Sequence, residues 1–362
     1  MDNKNIIYIN HKSLLELVFS IFFASGSKKK EATILATHLV ESNLAGHDSH
    51  GIIRIPKYLD WLRNQKVFNN RHARIILDTE SIIVVSGEYG YGQVIAKEAL
   101  SMAIERAYAK GIAILAIKES GHLGRIGAWA ELTVEKGMAS VHFVNTSGFG
   151  ILVAPHGGSD RRLSANPIAA GIPVKNSSPI ILDIATSIIA EGKIQVAKSH
   201  HKLLPEGSII NGRGMPTCDA DEFYDDPPGA ILPFGGHKGF GLSVLCEILA
   251  GSLTGGRSSH PENPDANQLN NNMLSIIFDP KFFCGNDFFD NDVSRLIKWI
   301  KSSPASSNNE VLMPGEPERR IHSKRILEGI PINLELRTQL HQIALSYGIP
   351  KNKFDCLITK NS

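Results

Sequence analysis

Cysteine is scarce in this 362-residue chain. Cys218, Cys246, Cys284 and Cys356 are its four cysteines, widely scattered and without a C-x-x-C pair. That pattern excludes a zinc ribbon and a disulfide framework, fits a reducing compartment, and leads us to expect a cytoplasmic protein. An excess of charge of one sign is also missing. Thirty-eight Lys and Arg against 36 Asp and Glu leave a formal charge of +2, too little to indicate a nucleic-acid partner. The short basic run Lys28-Lys29-Lys30 falls in the first turn of an expected helix and reads as a solvated face. No apolar run approaches the length of a membrane span, so no membrane partner is expected. The stretch Leu14–Ala24 after Lys4 and Lys12 is broken by Glu16, and Leu15, Val18, Phe19, Phe22 and Phe23 keep helical spacing. With Ser13 and Glu16 in capping-box relation, it reads as an amphipathic helix and not as an export signal. Several signatures are absent too. There is no Walker loop, no G-x-G-x-x-G after a strand, no G-x-S-x-G elbow and no zincin helix, which leaves an ordinary Rossmann site and serine-hydrolase chemistry unsupported.

What is present is an ordinary globular composition, 42% apolar and 20% charged, in a chain long enough for two or three lobes. The first seventy residues read as helical. A helix from Ser27, as N-cap, to Gly46 carries Ala32, Leu35, Leu39, Val40 and Leu44 on its apolar side. Short β-branched runs then alternate with helices. Strands are expected at Ser81–Ser86, Ile112–Ile117, Ala139–Asn145, Ile168–Pro173, Ile180–Ile184 and Leu274–Phe278. Helices are expected near Val94–Lys110, Ala128–Lys136 and Leu242–Leu253. This alternation indicates an α/β class. Asn211–Pro228 reads as an excursion, Gly255–Asn272 as a long polar loop and Ser302–Asn309 as a mobile link. Helices return near Ser294–Lys301 and Leu334–Tyr347, the latter with Asn333 as N-cap and Gly348 past its end.

The richest chemistry lies in His47-Asp48-Ser49-His50-Gly51-Ile52, with Arg54 just beyond. Two imidazoles, a carboxylate, a hydroxyl and a guanidinium share a turn at the end of a rigid helix. Three readings compete there: a C-cap with histidines near the negative end of the helix dipole, a metal site using His47, Asp48 and His50, and acid/base catalysis with Arg54 gripping an anion. The loop Ser120-Gly121-His122-Leu123-Gly124-Arg125 follows an apolar strand, where ligands of α/β sheets gather. Gly235-Gly236-His237-Lys238-Gly239 opens an apolar helix whose free N–H groups favour a phosphate. Asp183-Ile184-Ala185-Thr186-Ser187 ends another strand in small polar residues, and Met313-Pro314-Gly315-Glu316-Pro317 is a rigid turn in the helical tail.

Taken in order, Leu44–Tyr58, Ser120–Gly127, Val153–Pro167, Leu182–Ser187, His237–Gly241 and Pro314–Glu316 resemble the type 2 malate/L-lactate dehydrogenases, nicotinamide-dependent enzymes without a Rossmann fold. Ala45–Gly51, His142-Phe143-Val144 and His237-Lys238-Gly239 look most like the hydroxycarboxylate dehydrogenase branch. The resemblance implies a non-Rossmann α/β fold: a cofactor domain over residues 76–290, flanked by a helical segment 1–75 carrying the His50 turn and a helical segment 291–362 packing with it. It implies reduction of 2-oxo acids to 2-hydroxy acids with NADH (NADP is the alternative cofactor), in a homodimer and without a metal. His50 would be the proton donor beside Ser49, His122 a second acid/base group, and Arg54 the holder of the substrate carboxylate. Cofactor contacts would come from Gly124, Arg125 and Ile126, from Ile180, Ile181, Leu182, Asp183, Ile184, Ala185, Thr186 and Ser187, from His237 and Lys238, from Asn271, and from Gly315 and Glu316. The chain departs from the family where Ser164-Ala165-Asn166-Pro167 replaces Gly-Thr-Asn-Pro, losing a hydroxyl, and where Gly255–Asn272 is shorter and richer in asparagine. Two other function classes stand beside this one: a metal-dependent hydrolase using His47, Asp48, His50 and His122, and an inactive nucleotide-binding protein. The hydrolase leaves His237–Gly241 and Met313–Pro317 without a purpose. The inactive protein leaves the intact set Ser49, His50, Arg54 and His122 without one.

Overall fold

A strand opens the chain, although the first seventy residues read as helical. β1 (Ile6–Ile9) pairs antiparallel with β14 (Ile330–Asn333) and so ties the N-terminal segment to the C-terminal one. The computed structural model describes residues 6–148, 150–263, 268–306 and 309–359. α1 (His11–Ala24) is capped by Asn10, whose side chain accepts from the Lys12 N–H at 2.9 Å. Ser13 is buried inside that helix, so the capping-box reading of Ser13 and Glu16 is corrected. α2 (Lys29–Leu44) starts after Lys28, not Ser27, and Gly46 takes the left-handed conformation beyond it, at φ +85°. α3 is Ile55–Arg63. Leu17, Ile21 and Phe22 of α1, Leu35 and Leu39 of α2, and Tyr58 of α3 share one core with Ile330, Ile332, Leu340 and Phe354 from the far end of the sequence.

The middle of the chain builds β2 (Arg74–Asp78), β3 (Ile82–Ser86), α4 (Gly92–Lys110), β4 (Ile112–Ser120), α5 (Gly127–Val134) and β5 (Ala139–Gly148). β6 (Ile151–Val153) and β7 (Leu163–Ser164) leave for a smaller sheet, and β8 (Pro167–Ile172) and β9 (Ile180–Ala185) return to the main one. α6 (Glu191–Ser199), β10 (Ile209–Ile210), β11 (Pro216–Thr217), α7 (Ala220–Tyr224) and β12 (Ala230–Ile231) complete the smaller lobe around Ile194, Ile209 and Phe223. The Asn211–Pro228 excursion therefore contains a short strand and a helical turn. α8 (His237–Cys246) runs into a π-helical stretch, Glu247–Ser252, where one helix was expected from Leu242.

The main sheet has seven strands in the order β2-β3-β4-β13-β5-β8-β9, with β13 spanning Leu269–Phe278. Among its pairings only β3 with β4 is parallel, joined by the crossover helix α4. A mixed sheet of this kind cannot present the successive βαβ units of a Rossmann domain, in keeping with the missing glycine motif. β13 begins five residues before the expected strand. Asn270, Asn271 and Asn272 therefore belong to the sheet and not to a polar loop, whose residues 264–267 lie outside the described ones. Asparagine disfavours strands when exposed, but here the side chains are buried and bonded. Asn272 Oδ1 accepts from the Glu119 N–H at 3.1 Å, and Asn271 Oδ1 from the Leu123 N–H at 3.0 Å.

The tail folds as α9 (Asn286–Lys301), α10 (Glu316–Glu328), α11 (Leu334–Ser346) and α12 (Lys351–Thr359). α9 is a full two turns longer than its expected core, Ser294–Lys301. Residues 307 and 308 of the expected link lie outside the described residues. α11 is capped as expected: Asn333 Oδ1 accepts from the Leu336 N–H at 2.8 Å.

Candidate active site

Past Gly46 the chain makes two successive 3-10 turns, Asp48–His50 and Ile52–Arg54. Asn43, on the last turn of α2, clamps both. Its Nδ2 donates to Asp48 Oδ1 at 2.6 Å, and its Oδ1 accepts from the Ile52 N–H at 2.9 Å. A Cβ on Gly51 would sit 2.1 Å from Asn43 Oδ1, so the residue between the turns has to be glycine. Arg325 of α10 grips Asp48 with two bonds, of 2.6 and 2.9 Å, and His47 Nε2 lies 3.6 Å from Glu318. Asp48 and His47 are thus anchors that fasten the turn to the C-terminal segment. Among the described residues no three His, Cys, Asp or Glu side chains converge in a way that could hold a metal ion.

What the anchored turn presents is Ser49, His50 and Arg54. Ser49 Oγ lies 3.0 Å from His50 Nδ1, and Arg54 Nε donates to the Ser49 carbonyl at 2.6 Å. The rest of the Arg54 guanidinium bonds nothing among the described residues. Asp48 holds Arg325, and Glu41 lies 3.2 Å from His322. His122 arrives from the loop after β4. Its ring stacks on that of His50, with centroids 5.7 Å apart and planes 17° apart. His122 Nδ1 meets the Tyr58 hydroxyl at 2.7 Å, and Gln93 Nε2 donates to the same hydroxyl at 2.8 Å. A Cβ on Gly92 would lie 2.4 Å from the carbonyls of Gly121 and His122, so the start of α4 supports this loop at close range. His50 is partly exposed, yet the protein around it and then the charge of Arg54 pull its pKa down to about 3. Burial and then Arg54 likewise hold His122 well below the usual histidine value. Both imidazoles are neutral near pH 7.

The residues expected to hold a cofactor gather around β9. At its start, the Ile181 N–H donates to Pro314 O at 3.1 Å, docking the Gly315 turn. Glu316 is already engaged: it accepts from the Met313 N–H at 3.0 Å and pairs with Lys301 at 2.6 Å. At the far end, the Phe234 N–H donates to Thr186 O at 3.0 Å, which places the His237–Lys238 turn against the end of the strand. Gly235 and Gly236 there have φ of +55° and +60°, and no side chain caps the start of α8. His237 and Lys238 are exposed, with the His156 ring 6.0 Å from that of His237. Beside β9, Arg125 is 3% exposed and pairs with Glu131, but its Nε and Nη1 lack partners, as do buried Asp183 Oδ2 and Thr186 Oγ1. Gly124 owes its freedom to another neighbour. At φ +75°, a Cβ on it would lie 2.1 Å from Nε2 of His38, the atom that accepts from the Arg125 N–H at 2.9 Å. Ile126 is buried in the core of the main sheet. Asn271 is 3% exposed and spends its amide on Leu123, Thr146 and Asn145. Gly192, at the start of α6, lies against Ser49: a Cβ on it would stand 3.8 Å from that of Ser49.

A profile of malate/L-lactate dehydrogenases matches residues 9–341. The chain belongs to this family. Hydroxycarboxylate dehydrogenase B of Escherichia coli (strain K12) is 37% identical over 344 residues, covering 94% of each chain. The L-lactate dehydrogenase of Cupriavidus necator is 34% identical over 343 residues, covering 94% of this chain and 98% of its own. A solved structure described as a putative malate/lactate dehydrogenase from E. coli superposes with a TM-score of 0.91 at 35% identity, covering 97% of this chain and 98% of that one. The family fold is the mixed α/β arrangement described above, and this member of it is an oxidoreductase acting on 2-hydroxy acids.

Sequence reasoning missed Asn43, Tyr58, Gln93, Arg325 and His38. Tyr58 had a signal, since it stands four residues after Arg54 on α3 and so shares its face. Gln93 and Arg325 reach the site through contacts distant in sequence, and no local pattern announces them.

Proposed function

We propose that the protein interconverts 2-oxo acids and 2-hydroxy acids with NAD(H), with Arg54 as the carboxylate clamp and His50 as the carrier of the proton. The carrying observation is an open guanidinium fork and a neutral imidazole on one anchored turn, with the second neutral imidazole stacked on the first from the loop after β4. The chain also suits a dinucleotide. Uncapped N–H groups at the start of α8 and exposed Lys238 favour a phosphate, and the buried unpartnered atoms of Arg125, Asp183 and Thr186 need polar partners. Arg125, the β9 residues, His237 and Lys238 and the Gly315 turn would hold the cofactor. Asn271 would act through the Leu123 loop. The nicotinamide, when bound, supplies or takes the hydride.

Reduction adds a proton to the carbonyl oxygen, and oxidation removes it from the hydroxyl. Ser49 occupies Nδ1 of His50, so the proton moves at Nε2. Arg54 orients the carbonyl through a two-point bond to the neighbouring carboxylate. It also couples charge to binding. Burial and then the Arg54 charge depress the His50 pKa, and an anionic substrate offsets the second of these, so its arrival favours protonation of His50. The metal-hydrolase reading loses two of its ligands to Glu318 and Arg325.

We assign the working form to a cytoplasmic homodimer. No helix among the described residues is long and apolar enough to cross a membrane. α9 buries none of its side chains and exposes Phe288, Leu296 and Trp299, while the α8 end exposes Leu245, Ile248 and Leu253. The proposed units remain 1–75, 76–290 and 291–362, with the smaller sheet inside the second.

The test compares one 2-oxo acid with its methyl ester, on wild type and Arg54→Met, following NADH. The variant is expected to lose about 2–4 kcal/mol in kcat/KM on the acid and little on the ester. Equal losses on both would remove Arg54 from the carboxylate.

A further inference from the structure

The assignment of His50 as proton carrier leaves His122, stacked on it, without a distinct task. From the bond chain behind His122, and resting on the reading above, we infer that Gln93 and Tyr58 are positioning residues. They hold His122 in one neutral tautomer, with its proton on Nε2. His122 is then a standing hydrogen-bond donor to the substrate oxygen, and the exchange of a proton is left to His50.

The direction of the chain follows from what each group can do. The Gln93 amide nitrogen only donates, and it reaches the Tyr58 oxygen at 2.8 Å. That oxygen has a single proton, and its other short contact is His122 Nδ1 at 2.7 Å. With the Tyr58 oxygen accepting from Gln93, its proton points at Nδ1, which must be the bare nitrogen. The imidazole proton is then on Nε2. Turning the Gln93 amide over would reverse the chain, but at a cost. Gln93 is fully buried, and Oε1 already lacks a partner. The reversed amide would bury two orphan N–H donors in place of one orphan acceptor and one N–H. Tyr58 is buried as well and keeps its proton, its pKa pushed up to about 12 by burial. Tyr58 stacks on Trp61 at 5.7 Å and lies 6.5 Å from Phe22, so the ring that aims the hydroxyl is itself held in the terminal core.

The open atom completes the case. Nε2 of His122 bonds nothing among the described residues, yet it is not among the polar atoms sealed from solvent. An N–H fixed there, beside the His50 ring, stabilises negative charge growing on a carbonyl oxygen and requires no reorganisation when it does so. The two histidines thus differ in kind. His50 has only the freely rotating Ser49 hydroxyl on Nδ1, which can donate or accept and lets the ring change its protonation. His122 faces a hydroxyl whose direction is already fixed.

The experiment reads nitrogen chemical shifts of the full-length protein labelled with 15N-histidine, with His122 assigned from the spectrum of His122→Gln. Wild type is expected to show a bare Nδ1 and a protonated Nε2. Tyr58→Phe is expected to lose that single state and to lower kcat for a 2-oxo acid about 10- to 100-fold, with KM and the NADH dissociation constant changed less than about threefold. Gln93→Met, which only frees the hydroxyl to turn, should fall between wild type and Tyr58→Phe. A proton on Nδ1 in wild type overturns the inference, whether or not either variant folds. An unchanged kcat in Tyr58→Phe overturns it too, and so does a loss that falls on KM and thermal midpoint while kcat holds. Failure of the wider reading looks different: wild type would turn over no 2-oxo acid with NADH while its His122 still showed the expected shifts.

Discussion

His122 and His142 lie two ladders apart in the same sheet region, are both held neutral by burial, and have opposite fates. His142, on β5, is fully buried, with Nδ1 at 2.8 Å from Ser275 Oγ and Nε2 at 2.9 Å from Ser140 Oγ. Its burial alone brings its pKa down to about 3. His50 has a pKa depressed to the same value, with Arg54 as an added cause. A lowered pKa therefore fails to tell a site histidine from a structural one. The count of engaged nitrogens separates them: two for His142, and one each for His50 and His122. An imidazole with an open nitrogen can still act on a ligand, whereas one closed at both ends only holds strands together.

The largest effect is expected at His50. His50→Ala is expected to lower kcat by about 10²–10⁴ while leaving the NADH dissociation constant close to wild type. Steady-state rates and cofactor titration on the same preparation check this, and a variant keeping more than half of the wild-type kcat would put His50 with the structural set. His142→Ala should do the reverse. Taking the ring from Ser275, and leaving Ser140 with Thr133 alone, should cost about 1–3 kcal/mol in denaturant unfolding, with kcat changed less than about twofold.

A smaller effect follows from pH. The folded-state pKa of His142 is depressed, to about 3 against 6.5. Between those values the unfolded chain binds a proton that the folded one refuses, so stability is complete above about pH 6.5 and declines as the pH falls toward 3. One such histidine is worth on the order of 1–2 kcal/mol at pH 5. Unfolding midpoints at pH 7 and 5 should therefore drop further in wild type than in His142→Ala. Equal drops would mean that His142 carries a proton in the folded protein. The smallest expected change is none at all: activity should survive exhaustive chelation, because the open nitrogens serve as acid and donor. Loss with EDTA and recovery with zinc would make them ligands.

Much of the fold was legible in the sequence because its signals are local. Apolar periodicity located α2, α4, α5 and most strands of the main sheet, and missing glycine motifs excluded a Rossmann domain. Errors fell where long-range partners override propensity. β1 exists because β14 supplies its ladder, and Asn270–Asn272 extend β13 because β4 and β5 bond their amides. The expected N-caps at Ser13 and Ser27 failed because neighbouring Asn10 and Lys28 took those positions.

By itself the sequence determined the chemical content of the site: Ser49, His50 and Arg54 on one turn, His122 after a strand, and glycines before Lys238. These are matters of residue type and short spacing. Tertiary structure decided what each group is free to do. Arg325 and Glu318 withdraw Asp48 and His47 from the site, while Tyr58 and Gln93 close one nitrogen of His122 and leave the other open. Availability depends on which partners sit within about 3 Å, and those partners come from segments far apart along the chain.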